Sequence, residues 1–197
     1  MEVEIRAFVN EKTKDIVRKC GTLLKRFGPY IDEYYKPAKC SAKEFDPQFI
    51  TLRARKLNLS KNIVSILFDK VEYLPSDFGL IKISLFGGKI KLFEGDEAIA
   101  KEILNSLNFE YWFSIKRLGG EIYQISNKEM GLEFKAALEN VDGIGEMIEV
   151  EFEVKSLQEG KEKMEKVIAF LGLNKENILN KTLGKFMMEK LSRRNLK

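Results

Sequence analysis

The sequence contains no histidine, and only two cysteines, four prolines and one tryptophan among its 197 residues. Without an imidazole there is no Ser-His-Asp or Cys-His nucleophile, no histidine zinc ligand and no histidine proton shuttle. Any chemistry must come from carboxylates, Lys, Arg, Tyr or a carboxylate-bound metal. Cys20, on a helical stripe, and Cys40, in a polar stretch, form neither a zinc site nor a disulfide framework and are expected as free thiols. No apolar run approaches the roughly 20 residues of a membrane span. Glu2 and Glu4 stand where a signal peptide would be basic, so a cytoplasmic protein is expected. Charge of one sign is also missing: 34 basic against 30 acidic residues leave a net +4, too balanced to argue for nucleic acid.

What is present is a globular composition, 44% hydrophobic and 32% charged, in a length that suits one domain over residues 1–197. MEVEIRAFV alternates as a strand. Asn10 caps a helix whose apolar positions Ile16, Val17, Cys20, Leu23, Leu24 and Phe27 run to a stop at Gly28. Strands are expected at 30–35 and in FITLRARKL, NIVSILFDKVEYL, GLIKISLF and KIKLFE, followed by a helix over 96–107. Further strands fall in FEYWFSIKR, EIYQISN, LEFKAALEN and EMIEVEFEV, up to about residue 155. Helices complete the chain over 156–197. Gly143 and Gly145 are expected at a turn, because no helix follows to make them a phosphate loop. The class is α+β, and about eight to ten strands on short turns make an antiparallel β-barrel with helices packed outside the economical solution.

Four strands carry charge on alternate positions: Glu2, Glu4 and Arg6; Arg53 and Arg55; Lys89 and Lys91; Glu149 and Glu151. The simple reading is a set of solvated faces on half-buried strands. The sharper one is a shared interior, where charges must be paired, hydrated or ligand-bound, since an isolated buried charge costs on the order of several kcal/mol. A polyphosphate with a divalent metal satisfies both signs. Arg and Lys hold phosphate oxygens, and carboxylates hold Mg²⁺ or Mn²⁺.

The order of these pieces resembles the CYTH domain of the triphosphate tunnel enzymes, which include class IV adenylyl cyclases, thiamine triphosphatases and inorganic triphosphatases. The resemblance rests on Glu2-x-Glu4-x-Arg6, IDEYY, the LRAR pair, LENVDGIGEMIEVE and the closing LGLNKENILNKTLGKF, and it runs nearly end to end. It implies metal binding by Glu2, Glu4, Glu139, Glu149 and Glu151. Phosphate contacts would come from Arg6, Arg53, Arg55, Lys70, Lys116, Arg117 and Lys181, with one of the adjacent pair Lys116 and Arg117 facing inward. Arg6 and Lys70 would be the catalytic cations. The sequence departs from the family pattern at Arg6, where Lys is usual, and at Lys89 and Lys91, where a middle strand usually has R-x-E-x-E. It departs again at Glu139, where Asp is usual, and after Lys181, where Tyr is missing.

The implied function is metal-dependent hydrolysis or cyclisation of ATP, thiamine triphosphate or inorganic tripolyphosphate. The alternative is a catalytically degenerate nucleotide or polyphosphate binder, which Lys89 and Lys91 favour. A nucleic-acid module, suggested by KLSRRNLK and FEYWF, is not expected: basic tails are usually solvated helix ends, and such aromatics usually pack a core. Phe186, Met187, Met188 and Leu191 make an apolar stripe on the last helix, which docks on the rest of the chain or on a second copy as a homodimer.

Overall fold

The computed structural model describes residues 1–41 and 43–194, so the final residues of KLSRRNLK, 195–197, lie outside it. The first half supplies β1 (Glu2–Phe8), α1 (Glu11–Cys20), β2 (Gly21–Phe27), β3 (Tyr30–Pro37), β4 (Ile50–Lys56), β5 (Ile63–Leu74), β6 (Leu80–Ser84) and β7 (Ile90–Asp96). There follow α2 (Glu97–Ser106), β8 (Phe109–Asn127), β9 (Leu132–Val141), β10 (Gly145–Glu153), α3 (Leu157–Leu171), β11 (Ile178–Leu179) and α4 (Leu183–Arg194). The strands pair in the order β10-β9-β8-β3-β4-β5-β6-β1, and β1 pairs back with β10. Among the described residues this closes an antiparallel barrel of eight strands with four helices outside, an α+β fold as expected. Strands β2, β7 and β11 lie off that path, on β8, β5 and β1. No helix among the described residues is long and apolar enough to cross a membrane.

Two compact units make up the chain. The first comprises Met1–Phe27, Tyr73–Ile83 and Leu118–Asn180. Its core is the apolar side of three adjacent strands: Val3, Ile5 and Ala7 of β1, Ile148 and Val150 of β10, and Phe134 and Ala136 of β9. Val17 of α1 and Met164, Val167 and Leu171 of α3 cover it. The alternation of MEVEIRAF thus does what a period of two must: one face is buried in apolar packing, and Glu2, Glu4 and Arg6 are left on the other. Helix α3 is pinned at both ends. The Ser156 hydroxyl accepts from the Glu159 backbone N–H at 3.1 Å, and Gly172 takes the left-handed conformation, φ 61°, that ends it.

Two expectations fail in this unit. Asn10 caps α1 as predicted, accepting from Thr13 N–H at 3.0 Å, but the helix stops at Cys20 instead of running to Gly28. At Gly21 a Cβ would meet the Val17 carbonyl at 2.7 Å and Tyr123 at 3.0 Å, so the chain turns there with the glycine backbone against the helix. Residues 21–27 then become β2, whose pairing with β8 satisfies backbone groups that a helix would have satisfied internally. The helical spacing of Leu23, Leu24 and Phe27 is coincidental, and Leu24 is 53% exposed. Likewise FEYWFSIKR and EIYQISN are one strand of 19 residues and not two. Gly119-Gly120 does not turn. Gly120 admits the Leu138 carbonyl and the Phe27 ring, which would stand 2.3 and 2.5 Å from any Cβ there.

The second unit comprises Gly28–Glu72, Ser84–Arg117 and Lys181–Lys197. Here Tyr35 of β3, Leu52 and Ala54 of β4, and Val64 and Ile66 of β5 pack beneath Ala100 and Leu104 of α2. Burying a side chain such as Leu104 contributes about 1.5–3 kcal/mol. Asp96 caps α2, accepting from Ala98 N–H at 2.8 Å. Trp112 and Phe109 pack against this core, so FEYWF is largely structural, although Tyr111 stays exposed. Since Leu52 and Ala54 take the α2 side of β4, Arg53 and Arg55 must take the other.

Candidate active site

In the first unit the ionic side of β1 meets that of β10. Register sets Glu4 opposite Glu151 and Arg6 opposite Glu149, while β6 brings Lys82 opposite Glu2. Carboxylate oxygens of Glu2, Glu4 and Glu151, one from each, lie within 4.8 Å of one another. Three like charges so close repel strongly. The structure meets this with Lys82, whose ammonium bonds Glu2 and Glu4, the latter at 2.9 Å. Burial works against the Lys82 charge, but the fields of Glu4 and Glu2 and the hydrogen bonds to both outweigh it and hold its pKa above the ordinary lysine value.

Arg6 serves the rest of the acidic set. Its guanidinium is buried and pairs with Glu139 on β9, with Glu149 on β10 and, at 3.6 Å, with Glu4. Burial opposes its charge, and Glu149, Glu139 and Glu4 together more than restore it. The five carboxylates expected to hold metal therefore divide: Glu2, Glu4 and Glu151 form one trio, and Glu139 and Glu149 are gathered by Arg6. Lys135, opposite Glu151 in the β9–β10 pair, is exposed. A trio of hard oxygen donors is the ligand type Mg²⁺ and Mn²⁺ prefer, so the residues fit a divalent cation. With Lys82 counted, the trio carries a charge of −2, which such an ion matches.

In the second unit β3 runs between β4 and β8, and its residues Tyr30, Asp32 and Tyr34 share a face with the arginines of both neighbours. Asp32 is fully buried and accepts from Arg55 Nε and Nη2 at 2.6 and 2.8 Å and from Arg117 Nη1 at 2.9 Å, with Arg53 Nη1 at 3.5 Å. Burial pushes the Asp32 carboxyl up, but Arg53, the bond and charge of Arg55, and Arg117 reverse this and hold it well below the usual carboxylate range. Tyr30 adds a second tie, its ring lying 5.0 Å from the Arg55 guanidinium carbon and 4.9 Å from that of Arg117. Three guanidiniums thus surround one carboxylate on these strands. That is an arrangement suited to phosphate oxygens.

The remaining expected residues are not brought to these clusters. Lys70 pairs in register with Ile50, so it lies on the α2 side of the β4–β5 ladder, opposite to the face of Arg53 and Arg55, and it is exposed. Parity excludes Lys116 in the same way: it pairs with Ile31, whereas its neighbour Arg117 pairs with Tyr30 and is buried. Lys181 is held by Glu189 at 2.7 Å. Lys91 pairs with Glu94 on the off-path strand β7, and Lys89 precedes that strand and is exposed. The middle-strand cation that matters is Lys82, which sequence reasoning missed together with Asp32 and Tyr30. The signal for Asp32 was present, as a lone acid alternating with Tyr30 and Tyr34. For Lys82 nothing in LIKIS points to a partner, because the register of β6 on β1 is not written in either strand.

No family model matches the chain, and no curated protein does. Among solved structures the fold is shared with the PH1819 protein of Pyrococcus horikoshii OT3, at 22% identity and a TM-score of 0.69, with 96% of this chain and 99% of that one covered. A Vibrio parahaemolyticus protein provisionally described as an adenylate cyclase matches at 14% identity and a TM-score of 0.61, over 94% and 97% of the two chains. HpAC1 from Hippeastrum, an adenylyl cyclase candidate described as having a dominant triphosphatase activity, matches at 13% identity and a TM-score of 0.59, over 98% and 96%. The fold is thus the one these proteins share.

Proposed function

We propose that this chain, built on the fold of CYTH-type proteins, binds a triphosphate-containing small molecule with a divalent cation and hydrolyses or cyclises it. The observation that carries the reading is the sorting of charge: a surplus of carboxylates around Glu2, Glu4 and Glu151, and a surplus of guanidiniums around Asp32. Taken each by itself, the carboxylates suit the divalent cation and the guanidiniums suit the phosphate oxygens of a metal-complexed triphosphate. Arg53, Arg55 and Arg117 bind phosphate oxygens through their forks, and Asp32 keeps those forks aimed so that little is lost in ordering them. Glu2, Glu4 and Glu151 would hold Mg²⁺ or Mn²⁺, which when bound supplies neutralisation of phosphate charge. Arg6 pairs with Glu139 and Glu149 and holds them in place beside the trio. Phosphoryl transfer rests mainly on positioning and electrostatics, so the absence of histidine is no obstacle.

The test is incubation of the protein with tripolyphosphate, ATP and thiamine triphosphate in Mg²⁺ or Mn²⁺. Release of orthophosphate is expected for hydrolysis, and cyclic AMP with pyrophosphate for cyclisation. A folded protein that turns over none of the three removes the catalytic reading. A second reading, a polyphosphate binder without turnover, is favoured by the ammonium of Lys82 among the carboxylates. Tight tripolyphosphate binding that is indifferent to EDTA would select it.

A further inference from the structure

We infer that Lys82 is a built-in competitor of the divalent cation: its ammonium neutralises the carboxylate trio when no metal is bound and must be displaced when one binds. The inference rests on the metal reading above and adds the residue that sets how tightly the ion is held. Lys82 stands opposite Glu2 in the β6–β1 register, its side chain is 8% exposed, and it bonds both Glu2 and Glu4, two of the three donors. Those bonds occupy one oxygen of each carboxylate, so a cation bound by both residues competes with the ammonium for the same two groups. A doubly charged ion brought into the same trio also meets the ammonium at contact range, where the two repel. The lysine stem can carry its charge away by rotating about its side-chain bonds, whereas an arginine fork tied to several carboxylates, like that of Arg6, cannot do so as readily.

The physical consequence is a site that is charge-balanced in two states. With Lys82 in, the trio is stabilised without metal, and folding does not depend on the ion. With Lys82 out, the full −3 of Glu2, Glu4 and Glu151 faces the metal. The free energy of breaking the lysine contacts is subtracted from metal affinity, so the wild-type protein binds the ion weakly and exchanges it easily.

Three measurements on the whole protein, without substrate, test this. Mn²⁺ binding followed by electron paramagnetic resonance is expected to be at least tenfold tighter in Lys82→Met than in wild type, while Lys91→Met, which also removes one positive charge, changes it less than twofold. Because Lys82→Met removes a cation from the trio, its folding is followed in parallel, and addition of Mn²⁺ is expected to raise its Tm more than that of wild type. In the wild type, reductive methylation of Lys82 read by mass spectrometry is expected to be slow without metal and at least severalfold faster in Mn²⁺. Equal or weaker Mn²⁺ binding in Lys82→Met, or labelling of Lys82 that ignores Mn²⁺, overturns the inference and leaves the metal reading standing. Failure of both wild type and variant to bind Mn²⁺ overturns the two together.

Discussion

Asp32 and Arg55 face each other across the β3–β4 ladder and form a two-point fork, Nε to Oδ1 at 2.6 Å and Nη2 to Oδ2 at 2.8 Å. Asp32 also takes Arg117 and Arg53, so three arginines share this one buried carboxylate. Replacing it by Asn keeps the shape and removes the charge, so the cations are left to repel in a buried setting. We expect Asp32→Asn to lose about 3–5 kcal/mol at pH 7 in urea unfolding. The pH profile follows from the depressed native pKa. The unfolded carboxyl protonates near pH ~3.9, while the native one stays ionised to well below that. The stability Asp32 contributes is therefore full above about pH 4 and drains as the pH falls toward the native value. Wild type should lose stability more steeply below pH 4 than Asp32→Asn does.

Parity along β4 and β8 separates the proposed phosphate ligands from bystanders. Arg55 and Arg117 share a face with Asp32, and Lys70 and Lys116 do not. Alanine at either arginine should weaken tripolyphosphate binding about 10- to 100-fold, the worth of a charged hydrogen-bonded contact of about 1.5–3 kcal/mol. Alanine at Lys70 or Lys116 should change it less than about twofold. Calorimetry at fixed ionic strength reads all four, and equal losses at Lys70 would undo the assignment.

The sequence made the fold legible because its strands are strictly alternating: once Val3, Ile5 and Ala7 are buried, Glu2, Glu4 and Arg6 can face only one way. The same parity exposed the LRAR pair and the acidic strand at Glu149 and Glu151. What it hid was pairing across strands. Glu151, and not Glu149, joins Glu2 and Glu4, and Lys82 enters from β6. Both facts depend on register, which a strand does not encode by itself. The assignment of Lys70 failed for the related reason that the face of a single lysine in LFDKV cannot be read until its neighbour on β4 is known. Helix period misled at Leu23, Leu24 and Phe27, where strand pairing with β8 overrides the local pattern.

The uninterrupted course of β8 through Gly120 carries its own consequence. A methyl group there would overlap a backbone carbonyl, Leu138 O at 2.3 Å, which cannot swing aside as a side-chain tip can. We expect Gly120→Ala to destabilise by roughly 1–3 kcal/mol, the range for overpacking. Gly28 has nothing within 4 Å of the position of a Cβ, and Gly28→Ala should stay within about 0.5 kcal/mol of wild type. Chemical denaturation of the pair checks the difference.

Arg6 stands where the resemblance implies a phosphate contact, yet its guanidinium is committed to Glu139, Glu149 and Glu4. If this structural commitment defines its role, Arg6→Lys should cost stability more than ligand affinity. A single ammonium cannot reproduce a planar fork that spans carboxylates on β9 and β10, so about 1–3 kcal/mol should be lost. Arg6→Met, which removes the guanidinium charge altogether, should lose about 3–5 kcal/mol. Tripolyphosphate affinity of Arg6→Lys, measured by calorimetry under conditions where the variant is fully folded, should stay within about twofold of wild type. A tenfold loss with unchanged stability would return Arg6 to the phosphate and make the three acidic contacts a feature of the ligand-free state alone.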